Sequence, residues 1–159
     1  MATSLDCENC RLFIRGHFLL NEVNGSLDFN PPYDQIDNTL SHVYAILVKN
    51  EVMYVGVTSG LQNRIYNYLH PHSTQKTNVR VNQSILDMLG QGHEVTLFSL
   101  PDDIPVFWGA HNYRVNMAKA IEPALIREWQ PEWNVGLENV VLPESPIYLP
   151  VHLPALIEP

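Results

Sequence analysis

The chain reads as an α+β domain in which helices flank a small three-stranded antiparallel sheet, and three observations carry that reading. The first is the apolar run His42-Val43-Tyr44-Ala45-Ile46-Leu47-Val48, followed beyond Lys49-Asn50-Glu51 by Val52-Met53-Tyr54-Val55-Gly56-Val57. Two runs rich in β-branched and aromatic residues around a short polar break predict a hairpin, with strands over 42–48 and 52–57. The second is the recurrence of Leu61, Ile65, Tyr68 and Leu69 at helical spacing, ended by Pro71. The third is an alternation over 93–100, with Val95, Leu97 and Ser99 set against Thr96, Phe98 and Leu100, which predicts the third strand.

Each element follows from local chemistry. Residues 1–40 form an extension, where Arg11-Leu12-Phe13-Ile14 and His17-Phe18-Leu19-Leu20 suggest short strands and Asn24-Gly25 and Pro31-Pro32 mark turns. In a hairpin folded around Lys49-Asn50-Glu51, Tyr44 lies opposite Tyr54, so two phenols point from rigid backbone to one place. Residues 72–81 are polar and read as a loop. Asn82 is placed to cap a short helix with the apolar face Ile85, Met88 and Leu89, closed by Gly90 and Gly92. A loop through Pro101, Asp102, Asp103 and Pro105 leads to a last helix over about 114–130. Pro123 lies inside that helix and removes a backbone hydrogen bond, so the helix either starts near Lys119 or bends there. The domain proper is 41–138. The tail, 139–159, carries prolines at 143, 146, 150, 154 and 159, which forbid a helix and predict an extended strip.

Composition narrows the class. With 159 residues, 45% of them hydrophobic, the chain can bury a core, and no run approaches the roughly eighteen apolar residues of a membrane span. The first residues hold neither a basic leader nor an apolar block, so no signal peptide is expected. Two cysteines are too few for a disulfide framework and favour a reducing, cytoplasmic setting. The net charge of -8 opposes binding to nucleic acid, but it is unevenly spread. Residues 41–100 hold four Lys or Arg against three Asp or Glu and are the net-basic stretch, whereas residues 1–40 hold six acids and two bases.

The ordered set Tyr44, then Tyr54-Val55-Gly56, then Arg64, then Glu122-Pro123-Ala124-Leu125-Ile126, then Pro131-Glu132-Trp133-Asn134, resembles the GIY-YIG nuclease family over about residues 42–135. The pattern is most similar to the branch of small restriction endonucleases. The first signature departs from it, because His42-Val43-Tyr44 stands where the family has Gly-Ile-Tyr, and Tyr68 stands where several restriction members carry histidine. The resemblance implies a GIY-YIG-like core and a metal-dependent endonuclease acting on DNA in restriction, defence or mobile-element biology. It implies Glu122 as the ligand of Mg²⁺ or Mn²⁺, a hard carboxylate oxygen for a hard cation. It places Arg64 on the scissile phosphate, with Gly56, Thr58 and His70 beside the substrate. Tyr44 is implied as general base, with Tyr54, Tyr68, His42 or His70 in a proton relay and Asn134 as support. One core serves one scissile phosphate, so double-strand cutting implies a homodimer or two successive nicks.

Cys7-Glu8-Asn9-Cys10 supplies half of a tetrahedral zinc site, with His17 and then His42 or His70 as the residues that would complete it; two reduced cysteines are the simpler reading. A second function class stays open beside the enzyme. The alternative is a catalytically idle module of the same fold that binds a protein or nucleic acid through its acidic ends and proline-rich tail.

Overall fold

The computed structural model describes residues 4–7, 10–36, 38, 40–102, 104–108, 111–115 and 117–134. The tail strip of 139–159 lies outside them. The strands are β1 (Ser4–Cys7), β2 (Cys10–Leu20), β3 (Leu27–Asn30), β4 (Ser41–Val48), β5 (Glu51–Thr58), β6 (Val95–Asp102), β7 (Ile104–Trp108) and β8 (His111–Val115). The helices are α1 (Leu61–Leu69), α2 (Lys76–Gly90) and α3 (Met117–Trp129), with a 3-10 turn at Tyr33–Gln35. Among the described residues no helix is long and apolar enough to cross a membrane.

The fold is α+β, as the sequence predicts, but the main sheet exceeds the three expected strands. Its order is β1-β2-β6-β4-β5, with β3 paired to β2, and every pairing is antiparallel. The predicted trio β4, β5 and β6 is present, and β2 lies along the outer edge of β6. That pairing satisfies backbone groups that an exposed edge would leave open. Two other expectations fail nearby. The segment 101–113, expected as a loop, contains the end of β6, all of β7 and the start of β8, and β7 and β8 pair antiparallel as a separate two-stranded sheet. The last helix therefore starts at Met117 rather than near 114, and it runs through Pro123. Its buried Ala118 and Leu125 pack on the sheet, and tertiary packing of this kind offsets the roughly 3 kcal/mol that an interior proline costs.

The hairpin register also differs. Lys49 and Asn50 both have left-handed backbone, with φ of 53° and 67°, so the turn has two residues and Glu51 already belongs to β5. Tyr44 then pairs with Gly56, and Ile46 with Tyr54, with a bulge after Ile46. The slip from the expected register is two residues, an even number, so Tyr44 and Tyr54 stay on the same face.

The two sheet faces are covered by different helices. On one face Tyr44, Ile46, Val48, Val95, Leu97 and Phe18 pack with α1 and α2, through Leu61, Ile65, Tyr68, Val81 and Ile85. On the other, Val43, Ala45, Leu47, Val55 and Phe98 pack with α3. Covered on both sides, β4 is buried from His42 to Val48, which explains why its sequence is an unbroken apolar run. Helix α2 begins at Lys76, so part of the expected polar loop is helical, and Asn82 sits within the helix rather than at its cap.

Candidate active site

A triangle of tyrosines forms the centre of the α1 side. The ring centres of Tyr44, Tyr54 and Tyr68 stand 6.1, 6.4 and 6.5 Å apart, and the Tyr44 and Tyr68 hydroxyls are hydrogen-bonded at 2.7 Å. Tyr44 and Tyr54 come from the hairpin, while Tyr68 descends from α1. The glycine of Tyr54-Val55-Gly56 has a packing cause. A Cβ at Gly56 would stand 2.6 Å from the Tyr44 hydroxyl and 2.8 Å from its ring carbon, so Tyr44 can lie across β5 only if residue 56 has no side chain. Gly56→Ala is expected to destabilise the protein by about 1–3 kcal/mol through overpacking around the buried ring, read as a lower urea midpoint. An unchanged midpoint would show that Tyr44 does not rest on this strand.

Arg64 joins the triangle from the helical turn before Tyr68. The turn that launches α1 is held by Thr58, whose hydroxyl donates to the Gly60 carbonyl at 2.9 Å and accepts from the Gly60 N–H at 3.2 Å. The Arg64 guanidinium carbon lies 6.0 Å from the centre of the Tyr68 ring. Its Nη1 donates to Asn78 Oδ1 at 3.3 Å, while its Nε is buried with no partner among the described residues. Burial works against the guanidinium charge, but Tyr44, Tyr68, Tyr54 and Glu122 outweigh it and raise the Arg64 pKa.

Glu122 reaches the same region from α3, on the opposite layer. The edge of β5 is where the layers meet, and three groups close it. Trp133 N–H donates to the Met53 carbonyl at 2.8 Å, and Asn134 takes both backbone groups of Val55, accepting its N–H and donating to its carbonyl, each at 2.8 Å. Glu122 accepts from the Val57 N–H. Thus Asn134 holds the backbone between Tyr54 and Gly56. Partial burial raises the Glu122 pKa above the usual carboxylate range, with the Val57 N–H and then Arg64 pulling it back.

Burial also lifts the Tyr44 hydroxyl well above the ordinary phenol range. Tyr54 and Glu122 push the same way, while Arg64 and the Tyr68 hydrogen bond oppose it. Tyr68 is likewise raised, first by burial and then by Tyr44 and Tyr54. At neutral pH the free protein therefore holds two neutral, hydrogen-bonded phenols beside one guanidinium.

The remaining candidates lie elsewhere. His70 is exposed at the end of α1, with its ring against Tyr66 at 4.8 Å, on the helix face turned away from Arg64 and Tyr68. His42 is buried and bonds Ser99 Oγ at 3.1 Å, and the same hydroxyl accepts from Arg15 Nε at 2.7 Å. His17 bonds Thr96 and lies 2.8 Å from Glu94. Cys7 and Cys10 are backbone register partners at the end of the β1–β2 pairing. Among the described residues no group of three His, Cys, Asp or Glu is gathered as a metal-holding cluster. The sequence does not single out Asn78, and it does not foretell the contacts of Asn82 and Ser99, because a polar side chain facing a buried seam carries no periodic signal.

The fold has a solved counterpart. A mutant of bacteriophage T4 EndoII matches with a TM-score of 0.58 and 21% identity, covering 78% of this chain and 92% of that one. The two share a fold. The restriction endonuclease HPY188I in complex with product DNA also matches, with a TM-score of 0.47 and 15% identity over 74% of this chain and 72% of that one. No family model matches the sequence, and no curated protein does.

Proposed function

We propose that the chain is a GIY-YIG-type endonuclease that hydrolyses DNA phosphodiester bonds with a divalent metal ion. The observation that carries the reading is the meeting of Tyr44, Tyr54, Tyr68 and Arg64 from one layer with Glu122 from the other, at the edge of β5. The fold shared with phage T4 EndoII and the ordered sequence motifs support it.

A metal fits the donor set. Glu122 offers a half-buried carboxylate whose charge is poorly solvated, and a single protein carboxylate suits Mg²⁺ or Mn²⁺, which keep several waters and take substrate phosphate oxygens. When bound, such a cation supplies Lewis-acid relief of charge on the phosphate and the leaving oxygen. The chain's own groups do the rest. Arg64 brings its guanidinium charge to the phosphate, and stabilises the charge that grows there in the transition state. In its ionised form Tyr44 accepts the proton of the attacking water, and the hydrogen bond from the Tyr68 hydroxyl stabilises that phenolate beforehand. Thr58 fixes the turn that aims Arg64, and Asn134 fixes the strand that aims Tyr54. Gly56 leaves room for Tyr44. His70 fits a contact to flanking DNA better than a role in the relay. A homodimer or two successive nicks would serve the two strands, and a cytoplasmic setting fits a restriction or defence role.

The reading is tested on supercoiled plasmid with Mg²⁺, with Mn²⁺ and with EDTA; metal-dependent nicking is expected, and intact plasmid under all three conditions would refute it. The raised Tyr44 pKa sets the pH dependence. A base must lose its proton to act, so the single-turnover rate is expected to rise about tenfold per pH unit across the neutral range, where little phenolate exists. Tyr44→Phe should lower the rate by roughly 10²–10⁴ and flatten that slope. Tyr54→Phe should keep the slope. A Tyr44→Phe enzyme with the wild-type rate would remove the hydroxyl from the mechanism.

A further inference from the structure

Helix α2 carries two asparagines one turn apart, Asn78 and Asn82, that engage two site residues one turn apart on α1. Asn78 Oδ1 accepts from Arg64 Nη1 at 3.3 Å, and Asn82 Nδ2 donates to the Tyr68 carbonyl at 2.6 Å, each pair separated by 14 positions. Asn78 is only 6% exposed. A buried amide needs partners for both its ends. Its other end is met too, since Asn78 Nδ2 donates to Gln75 Oε1 at 3.0 Å. Gln75 stands at the residue before α2, where the short link from α1 ends. The chain Gln75–Asn78–Arg64 therefore sets which edge of the guanidinium is tied to protein. Nη1 is held from one side, and Nε is left buried and unbonded among the described residues. An apolar residue at 78 would fill the seam but would take this acceptor from Arg64 Nη1 and this donor from Gln75 Oε1, so the amide is explained by what it holds.

We infer that Asn78 is a positioning residue for phosphodiester cleavage, acting through Arg64, and that Gln75 orients its amide. The inference rests on the reading of Arg64 as the phosphate-binding group. It accounts for a long, flexible side chain holding one geometry: with Nη1 tied to Asn78 and Nε enclosed by protein, the guanidinium is fixed before a phosphate arrives, and its remaining N–H groups are the ones offered to the transition state. Asn82 fixes the backbone of the adjoining turn by the same helix, so α1 and α2 carry the site as one unit.

Two substitutions separate positioning from packing. Asn78→Leu keeps the volume and removes the acceptor, while Asn78→Asp keeps the acceptor and loses the donor to Gln75. Positioning predicts that Asn78→Leu lowers the single-turnover rate by about 10- to 100-fold with little change in DNA affinity by anisotropy, and that Asn78→Asp recovers most of the rate. In an Arg64→Ala background, Asn78→Leu should cost nothing further. A packing role predicts the reverse order, with leucine tolerated and the buried aspartate damaging, and that result would overturn the inference. The second readout needs no catalysis. The Arg64 Nε–H resonance in ¹⁵N-labelled protein should be sharp and slowly exchanging in wild type and Asn78→Asp, and broadened or shifted in Asn78→Leu. An unchanged signal in Asn78→Leu overturns the positioning role. A wild-type protein that leaves DNA intact overturns the nuclease reading instead, and the resonance still decides whether Asn78 holds Arg64.

Discussion

Glu122→Ala is expected to lower metal-dependent cleavage by roughly 10³-fold or more, because a cation that relieves charge at a phosphate is worth several kcal/mol of barrier and Glu122 is its one proposed protein ligand. The side chain has a second task, accepting the Val57 N–H at the edge of β5. Loss of activity in the alanine variant could thus follow from a frayed edge. Glu122→Gln resolves this, since the amide oxygen can still accept the Val57 N–H but carries no charge for a metal. Glutamine is expected to keep the circular dichroism spectrum and the unfolding midpoint while cleavage is lost. Substantial cleavage by Glu122→Gln would refute the ligand assignment. The direction of the Glu122 pKa adds a pH arm. The metal needs the ionised form and burial raises the pKa, so wild-type activity at fixed metal should fall away at a higher pH than an ordinary carboxylate would give, and added metal should move that limb down.

Arg64→Ala is expected to cost roughly 10²–10³ in single-turnover rate, the range seen when one preorganised donor to a developing oxyanion is removed. Arg64→Lys should restore little of it. A lysine has a compact ammonium in place of a planar fork, and so cannot keep one edge on Asn78 while offering another to a phosphate. The variant also carries an electrostatic signature. Arg64 pulls the Tyr44 pKa down against burial, so removing the guanidinium raises it further and moves the rising limb of the pH–rate profile to higher pH. An Arg64→Ala protein that cleaves at the wild-type rate, with an unshifted profile, would take Arg64 out of the site. Its fold should survive with a loss of about 1–3 kcal/mol, because the buried Asn78 Oδ1 loses its donor while the apolar core is untouched.

Much of this was legible in the chain before folding, and the reason is local. The hairpin of residues 41–58 and helix α1 are written in short-range code: apolar runs, a turn that accepts left-handed backbone at Lys49 and Asn50, and side chains recurring every three to four residues. Parity alone places Tyr44 and Tyr54 on one face in either register, so the pair could be read even though its exact partners could not. Arg64 and Tyr68, four apart, share a helix face for the same reason.

Only the tertiary structure decided what those residues meet. The register depended on a bulge after Ile46, which leaves no trace in composition. The insertion of β2 beside β6 is a long-range pairing, and its strand signals sat in a segment that read as an extension. The approach of Glu122 to β5 from the far layer, the grip of Asn134 on Val55, and the reach of Asn78 to Arg64 all join positions distant in sequence. Each is a single polar contact. A hydrophobic face repeats along a chain and so announces itself, whereas one buried hydrogen bond has no period. The sequence by itself therefore determined which residue types could do the chemistry, and packing of three helices on two sheet faces decided which of them stand together.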